Sequence, residues 1–139
     1  MKVGRVAIVG SRHLSASKKR FIKNLIEILR WFAGLDNFEL EFGTGDCPTG
    51  ADALVREVCE ELGVPCQVFK ADRSRYAELG NRIYYQRNRK LVEWANEVWI
   101  LVEKGYSGKG SRMVAELCFE LDKPFHWLVL EDLEGTPDE

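Results

Sequence analysis

The sequence has no long hydrophobic run. Each apolar stretch is far shorter than the roughly 20 residues that a membrane-spanning helix needs. The short apolar run within Met1 to Gly10 has no small-residue cleavage site after it. We therefore expect neither a membrane partner nor a secretory signal, and we expect a soluble protein of the cytoplasm.

Closely spaced cysteine pairs are also missing. Four cysteines are scattered along the chain without a CxxC motif, at Cys47, Cys59, Cys66 and Cys118. Such spacing is typical neither of a zinc site nor of a disulfide framework. Asp46 and Asp52 alone provide few of the oxygen ligands that magnesium needs. We therefore expect no bound metal and no cofactor.

Histidine is scarce, with His13 and His126 as the only two. Cys47 precedes a predicted helix whose N-terminus would stabilise a thiolate, but the sequence places no histidine to activate it. His126 lies inside a predicted strand and is interpreted as a core or edge residue. His13 follows the first predicted strand and is placed at the rim of a pocket.

The chain carries little net charge. Its 139 residues have a formal charge of -2, with 45% hydrophobic and 30% charged residues. These are ordinary values for a globular protein and give no global sign of a polyanionic partner. We predict one domain over residues 1–130, followed by an acidic tail over residues 131–139.

Strand-like and helix-like segments alternate along the chain. Short apolar runs predict strands, at Val3–Val9, Phe38–Phe42, Cys66–Lys70, Glu97–Val102 and Phe125–Leu130. Apolar residues at helical spacing predict helices, at Ser17–Phe32, Gly50–Leu62, Ile83–Ala95 and about Arg112–Leu121. Ser15 or Ser17 is the candidate N-cap of the first helix, and Gly34 is its predicted stop. The alternation predicts an α/β fold, a Rossmann-like three-layer α/β/α sandwich with a mainly parallel sheet of about five strands.

Three predicted strand ends carry small, glycine-containing loops. They are Gly10-Ser11-Arg12, Gly43-Thr44-Gly45-Asp46-Cys47-Pro48-Thr49-Gly50-Ala51-Asp52 and Gly105-Tyr106-Ser107-Gly108-Lys109-Gly110-Ser111. Ligands of open α/β sheets bind outside the carboxyl ends of the strands. Glycine lets a ligand approach the backbone, and the first amides of a helix attract anions. One such loop is compatible with a plain turn, but three together favour a phosphate site.

Neither common nucleotide-binding motif is present. Gly45 and Gly50 have the spacing of a P-loop, but Ala51 and Asp52 stand where Lys-Ser/Thr would reach the phosphates and magnesium. The turn after the first strand lacks the GxGxxG of a dinucleotide site. Thr49 and Asp52 have the spacing of a helix capping box, so Asp52 is assigned either to capping or to ligand contact.

One stretch, residues 70–90, is strongly basic. It contains seven Lys and Arg residues against two acidic residues, with three tyrosines interleaved. This pattern predicts guanidinium groups that pair with phosphate near an aromatic face, or a patch for single-stranded nucleic acid. The alternative is the solvated face of a helix and its lead-in loop.

Four segments together resemble the SLOG superfamily of Rossmann-like proteins, most closely its YspA-like branch. They are Gly10-Ser11-Arg12, Gly45 through Gly50-Ala51-Asp52, Arg87-Asn88 and Gly108-x-Gly110-Ser111. The resemblance covers nearly the whole chain in the same order, and the GADALV and RNRKLVE segments are fairly specific. The superfamily includes the Lonely Guy phosphoribohydrolases, which cleave nucleoside monophosphates, and the DNA-processing protein A proteins, which bind single-stranded DNA.

The similarity to the Lonely Guy pattern is partial. Arg87 falls where that pattern has its arginine, and Gly110-Ser111 matches its Gly-Thr. The Pro-Gly-Gly segment is missing, Val114 stands in the place of the catalytic glutamate, and Glu116 lies on a different face of the helix. The resemblance therefore implies phosphate binding and leaves hydrolysis open.

The resemblance favours a protein that senses or processes a nucleotide or nucleotide-derived ligand. It assigns ligand contacts to Gly10, Ser11, Arg12, Gly43, Thr44, Gly45, Thr49, Gly50, Asn88, Gly108, Gly110 and Ser111. One alternative is an N-glycosidic hydrolase, with catalytic residues Asp46, Asp52, Arg87 and Glu116. Single-stranded DNA binding is a second alternative. A homodimer through the apolar helix faces around Trp31 and Trp94 also stays open.

Overall fold

A five-stranded sheet forms the centre of the computed structural model, which describes residues 1–105 and 108–131. Its strands are β1 (Lys2–Gly10), β2 (Phe38–Gly45), β3 (Cys66–Phe69), β4 (Glu97–Glu103) and β5 (Phe125–Leu130). All neighbouring strands run parallel, in the order β3-β2-β1-β4-β5. The predicted Rossmann-like α/β fold is therefore confirmed.

Five helices accompany this sheet in the described residues. They are α1 (Lys19–Leu35), α2 (Gly50–Leu62), α3 (Tyr76–Leu79), α4 (Arg82–Trp94) and α5 (Lys109–Glu120), with 3-10 turns at Ala16–Lys18 and Arg73–Arg75. None of these described helices combines the length and the apolar character that a membrane crossing requires.

β1 lies at the centre because its side chains are buried on both faces. Val6 and Ile8 belong to one hydrophobic cluster, whereas Ala7 and Val9 belong to the other. This alternation is expected for a strand that has helices on both faces. Helices α1 and α2 complete the first cluster, and α4 and α5 complete the second. The sheet is thus the middle layer of the predicted sandwich.

The strand order reverses between β1 and β4. β2 and β4 flank β1, and Gly10 pairs with Leu101 near the carboxyl ends of β1 and β4. Ligands of open α/β sheets bind at such a switch point. The fold therefore places the glycine-containing segments after β1, β2 and β4 at one edge of the sheet.

Two predicted boundaries beside these segments are wrong. β2 extends to Gly45 instead of ending at Phe42, because Gly43 to Gly45 continue the ladder with β3. α5 begins at Lys109 instead of near Arg112, so its first turn contains Gly110. Glycine carries no apolar signal, and an apolar pattern therefore stops short of both boundaries.

α1 begins and ends later than predicted. Neither Ser15 nor Ser17 caps it, because their hydroxyls lie 2.7 Å apart in a mutual hydrogen bond and a 3-10 turn intervenes. The helix continues through Gly34 to Leu35. The left-handed residue after it is Asn37, with φ 63°, a conformation that asparagine tolerates better than most residues.

Parts of two predicted segments lie outside the described residues. These are Tyr106 and Ser107 of the third glycine-containing loop and residues 132–139 of the acidic tail.

Candidate ligand-binding site

A cavity of about 330 Å³ opens at the switch point between β1 and β4. Its described lining comes from four segments: Val9, Gly10, Ser11, Arg12 and His13 after β1; Gly45, Cys47 and Asp52 around the start of α2; Arg87 and Asn88 on α4; and Gly108, Lys109, Gly110, Ser111 and Val114 at the start of α5. Most of the predicted site residues thus come together here.

Gly10 is required where β1 passes β4. A Cβ atom at this position would lie 1.9 Å from the carbonyl oxygen of Leu101, far inside van der Waals contact. The close approach lets the Ser11 amide donate a hydrogen bond to the same oxygen at 2.9 Å. Close packing and this hydrogen bond therefore hold β1 and β4 together at the floor of the cavity.

The loop after β1 docks directly on the N-terminus of α2. The Ala51 amide donates to the Ser11 carbonyl at 3.0 Å, and the Thr49 hydroxyl donates to the Arg12 carbonyl at 3.1 Å. Gly50 permits this contact, because its φ is 73° and a Cβ there would lie 2.2 Å from the Ser11 oxygen. The Ala51 amide is therefore engaged within the protein, so the second glycine-containing loop does not offer it to an anion as expected.

The N-terminus of α5 is open by contrast. The N-cap Gly108 is exposed and extended, with φ -66° and ψ 151°. A Cβ on Gly108 or Gly110 would meet no described atom within 4 Å. The first amides of a helix have no intrahelical acceptor and carry the positive end of its dipole. This terminus can therefore hold an anion in the cavity.

Asp52 is a buried carboxylate in the cavity wall. The residue is 6% exposed, and it accepts long hydrogen bonds from the Thr44 hydroxyl at 3.3 Å and the Cys47 amide at 3.4 Å. Burial raises the pKa of Asp52, and the nearby charge of Arg87 and the two hydrogen bonds offset only part of this effect. The shift favours the protonated carboxyl, which can donate a hydrogen bond or a proton to a ligand.

The predicted capping box at the start of α2 is wrong. Thr49 is the N-cap residue, but its hydroxyl bonds to Arg12 and makes no capping hydrogen bond. The Asp52 carboxylate bonds to Thr44 and Cys47 instead of reaching back to Thr49. The capping interpretation of Asp52 is therefore wrong, and its contact with a ligand stays a prediction.

Asp46 anchors two arginines beside the cavity. It accepts hydrogen bonds from Arg87 at 2.7 Å and from Arg73 at 2.6 Å. Burial acts to raise the pKa of Asp46, but the hydrogen bonds and charges of Arg73 and Arg87 together outweigh burial and lower the pKa. Asp46 is thus a charged structural anchor, in contrast to the neighbouring Asp52.

Arg87 is fixed from three directions. Its Nη1 donates to Asp46, its Nε donates to the Asn88 side-chain oxygen at 3.1 Å, and its guanidinium lies 5.6 Å from the centroid of the Tyr84 ring. The side chain is 13% exposed. A guanidinium has five N–H donors, so donors remain for a ligand in the cavity that Arg87 lines.

Two further residues of the site, Arg56 and Lys109, are absent from the site residues predicted from the sequence. Arg56 donates to the carbonyls of Gly45 and Cys47, each at 2.8 Å, and so closes the loop between β2 and α2. In the sequence it is one polar position on an amphipathic helix. Lys109 lines the cavity at the start of α5, and its signal is a basic residue between two glycines.

The remaining predicted site residues lie outside the cavity lining, and they are Gly43, Thr44, Asp46, Thr49, Gly50 and Glu116. Gly43 packs under the ring of Trp94, where a Cβ would come within 2.6 Å. Thr44 and Asp46 support Asp52 and Arg87 from behind. Glu116 lines a separate cavity of about 470 Å³ on the outer side of α5.

Ion pairs involve much of the basic stretch over residues 70–90. The pairs are Arg73 and Arg87 with Asp46, Arg75 with Glu78, and Arg89 with Glu93 and Glu120. These contacts reduce the positive charge available to a nucleic-acid backbone. They agree with the interpretation of part of the stretch as a solvated helix face.

No sequence model of a known protein family matches the chain, and no curated protein is significantly similar to it. In structure, the chain is similar to translation initiation factor eIF-2B from Pyrococcus horikoshii OT3, with a TM-score of 0.51 and 15% identity over 93% of this chain. It spans 41% of the length of that protein. At this identity, the similarity shows the α/β fold alone.

A second similar structure is that of a predicted subunit of tRNA methyltransferase from Methanocaldococcus jannaschii. Its TM-score is 0.44 at 9% identity, over 94% of this chain and 68% of that protein. This weaker similarity adds no information about the site.

Proposed function

We propose that this protein binds a nucleotide or nucleotide-derived ligand, with the ligand's phosphate at the N-terminus of α5. The observation that carries the proposal is the cavity at the switch point, where the start of α5, Lys109 and Arg87 are brought together. A phosphate complements the helix dipole and both cations. Arg87 already has Asp46 as a charged partner, but a neutral ligand would leave the first amides of α5 and Lys109 without a charged acceptor among the described residues.

The size and polarity of the cavity support a small phosphorylated ligand. Its volume of about 330 Å³ lies at the lower end of the range of roughly 300–1,000 Å³ for small-molecule sites. Val9, Gly10 and Val114 supply apolar or small surfaces near β1, whereas the charged donors stand on α4 and α5. The base or sugar is therefore expected over β1, with the phosphate towards α5.

Thermal unfolding tests this proposal with nucleoside mono-, di- and triphosphates, cyclic nucleotides and ADP-ribose. A ligand that binds only the native state stabilises it by about 2.7 kcal/mol at 100 times its Kd. We expect at least one compound in this panel to raise the Tm by several degrees. No shift with any of them would contradict the proposal.

The Lys109→Ala variant locates the phosphate. We expect it to lose most of the ligand-induced Tm shift, because it removes a cation from the α5 side of the cavity. Lys104→Ala is the matched control, since Lys104 pairs with Glu131 and lies outside the cavity lining. A full shift in the Lys109 variant would mean that α5 does not hold the phosphate.

A second candidate function is hydrolysis of an N-glycosidic bond, which the environment of Asp52 favours. A carboxyl group with a raised pKa can protonate a leaving group. Asp46, held by two arginines, and Glu116, outside the cavity, are less suited to this role. Chromatography of the nucleoside monophosphate reactions tests the idea: free base from the wild type, lost in Asp52→Asn, supports hydrolysis, whereas full recovery of a bound nucleotide supports binding alone.

A further inference from the structure

Two of the four cysteines meet where α2 ends and β3 begins. Cys59 lies in the last turn of α2 and is 1% exposed, and Cys66 is the first residue of β3. The left-handed Gly63, with φ 65°, ends the helix, and the Val64 amide donates to the Cys59 carbonyl at 2.9 Å. The chain therefore turns back at once and brings the start of β3 beside the end of α2.

The register of β3 places the Cys66 side chain on the same face of the sheet as Cys59. Cys66 pairs with Phe42 of β2, and paired residues of neighbouring strands point to the same face. Phe42 and Cys59 belong to one buried cluster, and Cys66 packs against that cluster. The two side chains are in hydrogen-bond contact, in which the Cys59 thiol donates and the Cys66 sulfur accepts.

The two thiols differ in their access to solvent. Cys66 is partly exposed on a strand at the edge of the sheet, and it lines a cavity of about 260 Å³. This volume is several times the roughly 30 Å³ that one water molecule occupies in the liquid, so small polar molecules can reach Cys66. Cys59 is buried beneath the end of α2. A small oxidant therefore meets Cys66 first.

The surroundings of the pair favour a thiolate at Cys66. The hydrogen bond from Cys59 lowers the pKa of Cys66; burial and the charge of Asp52 oppose this, and the charge of Arg56 assists it. The same hydrogen bond, together with burial, raises the pKa of Cys59, and the charge of Arg30 offsets only part of this effect. Since the thiolate is the reactive form of cysteine, Cys66 is the nucleophile and Cys59 keeps its proton.

We propose that Cys66 and Cys59 form an oxidisable pair that hydrogen peroxide converts to a disulfide. The Cys66 thiolate attacks one peroxide oxygen, the O–O bond breaks, and the sulfur becomes a sulfenic acid, while the departing hydroxide takes up a proton to form water. The Cys59 sulfur then attacks the Cys66 sulfur, the S–S bond forms and the S–O bond breaks. The second hydroxide leaves with the Cys59 proton as water. The two thiols thus lose two electrons, which reduce the peroxide to two waters.

The contact between the thiols suits this order of steps. The hydrogen bond to Cys66 and the charge of its thiolate hold the proton on Cys59. Conversion of Cys66 to a sulfenic acid removes that charge, so the Cys59 proton is released more easily at the stage where its sulfur must attack. The sulfurs then have to close to the S–S bond length of about 2.05 Å. β3 has four residues and only one neighbouring strand, so the start of β3 can shift towards α2.

Alkylation and mass spectrometry of the full chain test this pair. The reduced protein is treated with a small excess of hydrogen peroxide, unfolded with iodoacetamide present, and digested with trypsin. Trypsin releases residues 57–70 as one peptide, which contains Cys59, Cys66 and no other cysteine. We expect this peptide to lose two hydrogen atoms and to take up no alkyl group, whereas Cys47 and Cys118 are alkylated as before. Dithiothreitol should restore alkylation of the peptide.

Variants test which thiol attacks. In Cys59→Ala, the sulfenic acid on Cys66 has no partner, so we expect dimedone to label Cys66 after peroxide treatment. In Cys66→Ala, Cys59 should stay reduced and unlabelled. Cys47→Ser is the matched control, since Cys47 is also partly exposed but precedes α2, and it should form the disulfide as the wild type does. Circular dichroism establishes that each variant is folded.

The wild-type peptide decides the proposal without any variant. If Cys59 and Cys66 are both alkylated after peroxide treatment, the proposal is overturned, as it is by a disulfide that joins either of them to Cys47. Dimedone labelling of Cys59 in Cys66→Ala overturns the assignment of Cys66 as the attacking thiol. Neither thiol lines the cavity at the switch point, so these outcomes are independent of the proposed ligand.

Discussion

The N-termini of α2 and α5 are similar in sequence and differ in structure. Both helices follow a glycine-containing segment at the same edge of the sheet. At α2, the Ala51 amide is bound by Ser11, and Gly50 is pressed against that loop. At α5, Gly108 and Gly110 face open space among the described atoms. Glycine thus serves close packing of the chain at one helix and access to the cavity at the other.

The largest expected difference between the two helices is in their tolerance of alanine. Gly50→Ala should lower the free energy of unfolding by about 3 kcal/mol or more, because it combines a left-handed φ with overlap against Ser11. Gly108→Ala, with no described atom near its Cβ position, should change it by less than about 1 kcal/mol. Urea unfolding measures both values. Equal losses would remove the distinction between a packed and an open terminus.

A smaller effect is expected from the arginine that closes the loop before α2. Arg56→Ala should cost about 1–3 kcal/mol, because the carbonyls of Gly45 and Cys47 lose a charged donor. Arg112→Ala is the corresponding change on α5, where the arginine is exposed, and it should stay within about 0.5 kcal/mol. Chemical denaturation of the two variants compares the loops directly. A negligible loss in the Arg56 variant would show that the loop holds without this clamp.

A further expected effect is a pH dependence at Asp52. The pKa of Asp52 is raised in the folded state, so folding is relatively favoured while the carboxyl is protonated in both states. Stability falls as pH rises from the unfolded pKa towards the raised folded pKa, by at most about 1.4 kcal/mol per pH unit. Asp52→Asn should lack this loss, so its stability relative to the wild type should improve with pH in that window.

Asp46→Asn provides the opposite control. The pKa of Asp46 is lowered in the folded state, so its contribution is present above the unfolded pKa and is lost as pH falls through the folded pKa. The stability deficit of Asp46→Asn should therefore be largest near neutral pH and shrink in acid. Parallel pH profiles for the two variants, measured by denaturant unfolding, would contradict the assignment of different roles to the two carboxylates.

The strands and helices could be predicted because their signals are local. Val6 to Val9 form a continuous apolar run, and that run is buried from both sides in the structure. The boundaries failed where glycine interrupts the apolar pattern, as at Gly43 in β2 and Gly110 in α5. The periodicity that identifies an element carries no information there.

The site could be predicted only as a set of segments. The topology rule brings strand ends together and so predicts that the loops of Gly10 and Ser111 meet, whereas Arg87, inside α4, is assigned to the site only by the family resemblance; all three line one cavity. Contacts between residues far apart in the chain have no local signal. The bond from Ala51 to Ser11 and the ion pair of Arg87 with Asp46 both join such residues. Those contacts decide which amides and carboxylates remain for a ligand.

The Ser11 carbonyl accepts hydrogen bonds from two amides, that of Leu14 at 3.2 Å and that of Ala51 at 3.0 Å. One oxygen atom thus joins the end of β1, the approach to α1 and the start of α2. This side of the cavity is preorganised, because its backbone is held by the protein before a ligand arrives. Binding then has to restrict chiefly the exposed side chains, such as those of Arg12 and Lys109, at about 0.5–1.5 kcal/mol each. The free energy of ligand binding is therefore not reduced by an entropic cost of ordering the backbone at the floor of the site.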